Sequence, residues 1–441
     1  MKSTNWKFLS PLAVALLTVS QTMAADFAIR DGDRIVFLGD SITEQRLYTT
    51  YIEAYALTRH PGWKLSFRNV GWGGDTSWLR QRSHPDENQL FAAKEDEQQK
   101  MVGSSVGNGL ARDVLPFKPT FVTVKFGMND HSYQPFREDI FRAYVRSQSE
   151  ISKVLGANGA RVAFLTPQPI EDKGPTPEKD VRNDSLRKFS DGLKEVATKS
   201  GAAYVDQFDP YMTIMRREHT AKPDGIIGGG DAVHPGPAGQ TIMAWAVLKG
   251  LGASAMVSRA DISASTLKTG AAEGCRIEKI TKIQGGVSFD RVDDAIPMPI
   301  DERAEAALKL APIQEDLNRL ELRITDLPAG NYTVTIDGES AGNVSGDDLA
   351  KGWNLANAPG PITKQSREVL RLVFAKNDMF FHRWREIQLF NFPDWAKGPE
   401  VEAKRTAEIA RFDQEIAKLE AQIDAARQPK PHHFEVKAAA P

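Results

Sequence analysis

Between Arg34 and Gly252 short apolar runs alternate with longer amphipathic stretches, which is how a parallel sheet covered by helices reads along a chain. Strands are expected at Arg34–Gly39, Leu65–Gly71, Thr120–Gly127, Arg161–Pro167 and Ala203–Phe208. Apolar positions recurring at helical spacing predict helices over Ile140–Leu155, Glu178–Ser200 and Gly239–Gly250. The fold class expected is α/β, a flavodoxin-like three-layer α/β/α sandwich. Such sheets hold ligands at the carboxyl ends of their strands, so the residues just beyond each strand carry the functional information.

After Met256 the pattern changes. Arg276–Phe289, Leu320–Thr325 and Asn331–Asp337 read as strands, with turn signals at Asp326-Leu327-Pro328-Ala329-Gly330 and Asp337-Gly338. A helix is expected over Ser366–Asn377 and a returning strand over Arg383–Phe392. Further on, Ile409, Phe412, Ile416, Leu419, Ile423 and Ala426 recur at alternating spacings of three and four. That seam fits a helix packed on its own domain, or on a helix such as Asp301–Leu310; association of subunits through residues 400–427 is the alternative. The division expected is a signal peptide over 1–24, an α/β domain over 25–256 and a β-rich module with helices over 257–395. A heptad-like amphipathic helix over 396–428 and a disordered Pro- and Ala-rich tail over 429–441 follow.

Composition narrows the function classes. The chain has 441 residues, 26% of them charged and 41% hydrophobic, with a formal net charge of −2, as in an ordinary soluble globular protein. No basic excess is available to neutralise phosphates, which argues against a nucleic-acid partner. Lys2 and Lys7 precede an apolar stretch from Phe8 to Val19, and Thr22-Met23-Ala24 forms a small-x-small site, so export is expected. The run is shorter than the roughly 20 apolar residues that span a bilayer. A secreted or periplasmic location without stable membrane insertion follows. Cys275 is the single cysteine, which excludes an intrachain disulfide, and the eight histidines lack close ligand spacing. Neither a metal nor an organic cofactor is implied, and His432-His433 in the tail is expected to be solvated.

Four segments at strand ends carry candidate chemistry. Gly39-Asp40-Ser41-Ile42-Thr43 places a serine hydroxyl at a strand-to-helix turn, where helix N-terminal amides favour an oxyanion. Asn69-Val70-Gly71-Trp72-Gly73-Gly74-Asp75-Thr76-Ser77 offers glycine amides for the same purpose. Gly127-Met128-Asn129-Asp130 offers a side-chain amide. Asp231-Ala232-Val233-His234-Pro235 supplies a base and the carboxylate that would orient it. Each alone also fits an ordinary turn.

Taken in order, the four segments resemble the motif blocks of the SGNH/GDSL hydrolase family, over about residues 30–252. The resemblance implies a serine ester hydrolase in which Ser41 is the nucleophile and Asp231 and His234 complete the triad. It further implies an oxyanion hole built by Ser41, Gly74 and Asn129, with Gly73 the alternative to Gly74. His131 is a rival base, and Asp40 and Asp130 fit as partners of backbone amides. Export and the charged segments Arg80–Lys100 and His131–Glu138 point to short acyl groups, acetyl first, on carbohydrates; the partner is a small-molecule or glycan ester. Trp72 and Trp78 are candidates either for sugar stacking or for the core. A secreted lipase or lysophospholipase, an acyltransferase and a non-catalytic glycan-binding protein are the alternatives.

Overall fold

The structure is a computed structural model that describes residues 26–172 and 177–439. The segment expected to be a signal peptide lies outside the described residues.

The chain runs through β1 (Arg34–Gly39), α1 (Ser41–Glu44), α2 (Leu47–Arg59), β2 (Ser66–Asn69), α3 (Glu95–Asp113), β3 (Phe121–Lys125), α4 (Glu138–Ala157), β4 (Arg161–Leu165), α5 (Val181–Ser200), β5 (Ala203–Val205), α6 (Phe208–Ala221) and α7 (Pro237–Gly250). The five strands pair in parallel in the order β2-β1-β3-β4-β5, the doubly wound arrangement that the alternation of elements predicts. In β1 both faces are buried, which is why it reads as an unbroken apolar run. Ile35 and Phe37 face the layer holding Tyr51, Ile52 and Ile242, while Val36 and Leu38 face Val106, Leu110 and Tyr144. Winding reverses between β1 and β3, so the residues after these two strands flank the point where such sheets open a crevice.

The remaining strands are β6 (Met256–Ser263), β7 (Lys268–Glu273), β8 (Cys275–Ile283), β9 (Gly286–Asp293), β10 (Arg319–Thr325), β11 (Asn331–Ile336), β12 (Glu339–Ser345), β13 (Trp353–Asn354) and β14 (Pro431–Ala438). They form a sheet in the order β13-β10-β6-β7 and another in the order β12-β11-β14-β9-β8, sharing a core that includes Leu320, Leu322, Val334 and Phe434. Buried Arg291 joins the sheets: its guanidinium donates to Asp293, to the Ser258 hydroxyl and to the Glu321 carbonyl.

Two expectations fail here, for local reasons. The disordered tail expected over 429–441 is not found over residues 429–439, because Pro431–Ala438 is the central strand of the second sheet; residues 440–441 lie outside the described residues. Its alternation of His432, Phe434 and Val436 toward the core was masked by the Pro- and Ala-rich composition around it. Phe434 stacks on Phe289 at 5.1 Å, and His432, expected in solvent, is buried with Nδ1 2.7 Å from Asp337. Nor is Arg383–Phe392 a strand. Helix α8 (Pro361–Phe381) continues into a π-helical segment, His382–Gln388. The wider turn shifts apolar residues off the 3.6 spacing, so this helical segment shows the alternation of a strand.

Segment 257–395 is shared between two packing units. Its strands build the β-module, whereas α8 lies on the α/β domain: Val369, Leu370 and Val373 join one core, and Phe380 and Trp384 the other. A buried ion pair, Lys376 Nζ to Glu53 at 2.6 Å, and the Asn377 amide on the Thr50 hydroxyl at 2.9 Å fix α8 against α2. Helix α9 (Pro399–Ala426) packs on α8 and buries Ile416 and Ile423 from its seam. The partner of the seam is therefore α8 and not Asp301–Leu310.

Candidate active site

Ser41 is the first residue of α1, directly beyond β1. Asp40 caps this short helix, its Oδ1 accepting the Ile42 N–H at 3.0 Å, and so fixes the turn that presents the serine. The Ser41 hydroxyl lies 2.9 Å from His234 Nε2, joining residues 193 positions apart. On the other side of the ring His234 Nδ1 is 3.1 Å from Asp231 Oδ2 and 3.2 Å from Oδ1. Asp231 Oδ1 also accepts the backbone N–H groups of His234, at 2.7 Å, and Val233, at 2.8 Å. Partial burial acts to raise the Asp231 pKa, but the hydrogen bonds from these amides and from the ring together hold it below the ordinary carboxylate value. The carboxylate therefore keeps its charge and holds His234 with Nδ1 protonated and Nε2 facing the serine.

The loop carrying this pair is braced from the segment beyond β4. The Glu171 carboxylate accepts the Ile227 and Gly228 N–H groups, the Glu171 N–H donates to the Ala232 carbonyl at 2.8 Å, and the Gln168 amide donates to the Val233 carbonyl at 2.9 Å. Gly230, at φ +76°, closes the loop on Pro235; a Cβ there would collide with the His234 carbonyl.

Opposite stand the donor segments. The Gly73 N–H is committed to Glu44 Oε2 at 2.8 Å. The N–H groups of Ser41 and Gly74 have no hydrogen-bond partner among the described residues. That difference favours Gly74, at φ +74°, over Gly73 as a donor to substrate. Asn129 lies beyond β3 and spends one amide hydrogen on the Asp75 carbonyl at 2.9 Å, which leaves the second available. Its Oδ1 accepts the Tyr133 hydroxyl at 3.0 Å, fixing which way the amide faces. Asp130 accepts the Ser77 and Gly127 N–H groups, both at 2.9 Å, and ties the two donor segments together. Burial pushes its pKa up to about 6 against those hydrogen bonds.

Of the residues implied by the resemblance, Ser41, His234 and Asp231 are thus joined by hydrogen bonds, while Gly74 and Asn129 lie on the segments beyond β2 and β3, which the Asn129 amide ties together at the Asp75 carbonyl. Glu44, Tyr133 and Arg385 contact these segments at the Gly73 N–H, the Asn129 Oδ1 and the Glu44 carboxylate respectively, and their sequence surroundings carry no signal beyond helical or charged character. Tyr133 and Ser132 are both in the left-handed region, at φ +55° and +56°, a strain typical of functional turns. Trp78 is core: it is buried, with its indole N–H on Glu87 at 2.7 Å. The Trp72 ring is covered by the Arg385 guanidinium 4.0 Å from its centroid and meets the edge of Trp384. Among the described residues no group of three or more His, Cys, Asp or Glu side chains is placed to hold a metal ion, and no helix is long and apolar enough to cross a membrane.

His131 is no rival base. It is buried with Nδ1 3.1 Å from the Gly127 carbonyl, and burial pushes its pKa down to about 4. The consequence is acid lability. As pH falls from 6.5 toward 4 the unfolded chain takes up a proton that native His131 refuses, so this residue costs stability over that window. The loss expected by pH 4.5 is about 2–3 kcal/mol. Urea unfolding of wild type and His131→Gln at pH 7 and pH 4.5 checks it, the variant losing less on acidification. Equal losses in the two proteins would refute this role for His131.

Residues 37–242 match the model of the GDSL-like lipase/acylhydrolase family. By that match this segment is a GDSL-like lipase/acylhydrolase domain. It is a carboxylic ester hydrolase. The hydrolase is 26% identical over 238 residues to the acetylxylan esterase of Geobacillus stearothermophilus, a match spanning 51% of this chain and 96% of that protein. Crystal structures of an acetylxylan esterase from the same organism align at 19% identity with a TM-score of 0.38, again over 51% of this chain and 96% of theirs. A gut microbial diltiazem-metabolizing enzyme superposes with a TM-score of 0.76 at 24% identity, covering 93% of this chain and 98% of its own. The last likeness concerns the fold alone, and it extends through the β-module and the α8–α9 pair.

Proposed function

We propose that the hydrolase removes short acyl groups, acetyl first, from carbohydrate esters outside the cytoplasm, through an acyl-enzyme on Ser41. The observation that carries this reading is the hydrogen-bonded line from Asp231 through His234 to the Ser41 hydroxyl. In the mechanism it supports, Ser41 Oγ attacks the ester carbonyl as His234 Nε2 takes its proton. The N–H groups of Ser41 and Gly74 and the Asn129 amide hold the oxyanion. The tetrahedral intermediate collapses as His234 returns the proton to the departing sugar oxygen. Water, deprotonated by His234, then attacks the acyl-serine and releases the carboxylic acid and free Ser41.

The similarity to an acetylxylan esterase supports an acetylated sugar. So does the character of the rim. Gly74 is flanked by Arg80 and Gln81, and Tyr133, 41% exposed, offers an aromatic face beside a hydroxyl. Tyr133, in place of the two tryptophans, is then the residue that meets a sugar ring. The basic, then apolar, N-terminal sequence is what supports export.

The test is a series of acetyl, butyryl, octanoyl and palmitoyl esters of one alcohol, followed by acetate release from acetylated xylo-oligosaccharides. We expect kcat/KM to be highest for acetyl and to fall about 10-fold or more by octanoyl, as methylenes outgrow a short acyl site. A preference for octanoyl or longer chains would replace this reading with a lipase or lysophospholipase.

A further inference from the structure

We infer that Arg385, on the π-helical segment outside the matched domain, is a positioning residue for the Gly73–Gly74 donor turn, acting through Glu44. The inference rests on the oxyanion-hole reading given above.

Glu44 closes α1, three residues after the serine, and its two carboxylate oxygens have different partners. Oε2 takes the Gly73 N–H at 2.8 Å, and Oε1 takes the Arg385 Nε–H at 3.3 Å. Arg385 is held for this contact. Its guanidinium sits 4.0 Å from the Trp72 ring centroid, and its buried neighbour Trp384 meets the same ring in a T-shaped contact at 6.1 Å. A π-helical turn costs regular hydrogen bonding and is most often kept where it aims side chains at a site. Here it lets Trp384 go to the core while Arg385 reaches the donor turn.

Two effects follow from the geometry. With Gly73 N–H anchored on Glu44, the next peptide is fixed with the Gly74 N–H unpaired and available to substrate. A shift of about 1 Å in such a donor is enough to lower a rate substantially. The second effect is electrostatic. A Cβ placed on Gly73 would lie 2.8 Å from Glu44 Oε2 and 4.0 Å from the Ser41 Cβ, so the carboxylate stands in the neighbourhood of Ser41, where negative charge would develop. Unpaired, it would repel that charge. Arg385 offsets it, and the guanidinium comes from a part of the chain 341 positions away.

Arg385→Met keeps a stem over Trp72 and removes the charge and the hydrogen bond. We expect kcat on an acetyl ester to fall about 10- to 100-fold with KM changed less than about threefold, because the donors act on a charge present only in the transition state. Phosphorylation of Ser41 by paraoxon, which releases 4-nitrophenolate, should slow in parallel, and Arg385→Lys should recover part of the lost kcat. Rates are expressed per active site by titration, so a loss of folded enzyme does not count. Wild-type kcat in Arg385→Met, a change confined to KM, or Arg385→Lys as slow as Arg385→Met would each overturn the role. If wild type itself were neither active on esters nor phosphorylated at Ser41 by paraoxon, the underlying reading would fail instead.

Discussion

Replacing Ser41 by alanine is expected to lower ester hydrolysis by about four to six orders of magnitude while leaving the protein folded. The hydroxyl is the one atom lost, and its hydrogen bond goes to His234, a side chain 34% exposed to water that can satisfy the ring. The turn does not depend on it, because Asp40 caps the helix through the Ile42 N–H and the Glu44 N–H bonds the Asp40 carbonyl at 2.9 Å. The melting temperature should move by less than about 3 °C, in the range of ordinary surface substitutions. Activity on an acetyl ester, circular dichroism and mass spectrometry after paraoxon treatment test the three parts together. Retention of activity, or a diethylphosphoryl adduct of the wild type mapping to another residue, would remove Ser41 from the mechanism.

This serine is legible in the sequence because its constraints are local. A nucleophile at the end of a buried strand needs an apolar run, a tight turn and a helix start. These occupy about ten contiguous residues, from Arg34 to Thr43, so the chemistry leaves its pattern in one place. The same holds for Asn129 beyond β3 and for Asp231 and His234 on a single loop. What could not be read was long-range. Glu44 looks like an ordinary first-turn acid until Arg385 is beside it, and Lys376 looks like a solvated helix lysine until Glu53 is found buried against it. Neither pair has any spacing that a sequence pattern could register. The β14 strand escaped because its partners, β9 and β11, lie far back in the chain, and pairing of that kind gives each strand only a short alternation to show. Burial of Trp72 and Trp78 also depended on partners from other segments, so composition alone left both of their roles open.

His234 and Asp231 should separate when mutated singly. His234→Ala removes the group that takes the serine proton, and a loss of about four to six orders of magnitude in kcat is expected, close to that of Ser41→Ala, because the two act as one unit. Combining both substitutions should add little. Asp231→Asn is expected to cost about 10- to 100-fold less than His234→Ala. The orienting geometry survives in part, since an asparagine Oδ1 can still accept the His234 and Val233 N–H groups that Asp231 now accepts. What is lost is the negative charge that stabilises the imidazolium, and the preference for the tautomer protonated at Nδ1. An asparagine NH2 group turned toward Nδ1 would favour a proton on Nε2, where the ring could no longer take one from Ser41. Because Asp231 is 67% exposed, neither substitution should unsettle the fold. Steady-state kcat for the two single variants and the Ser41→Ala/His234→Ala double variant decides the matter. Multiplying losses in the double variant, or Asp231→Asn slower than His234→Ala, would show that the three side chains do not work as a triad.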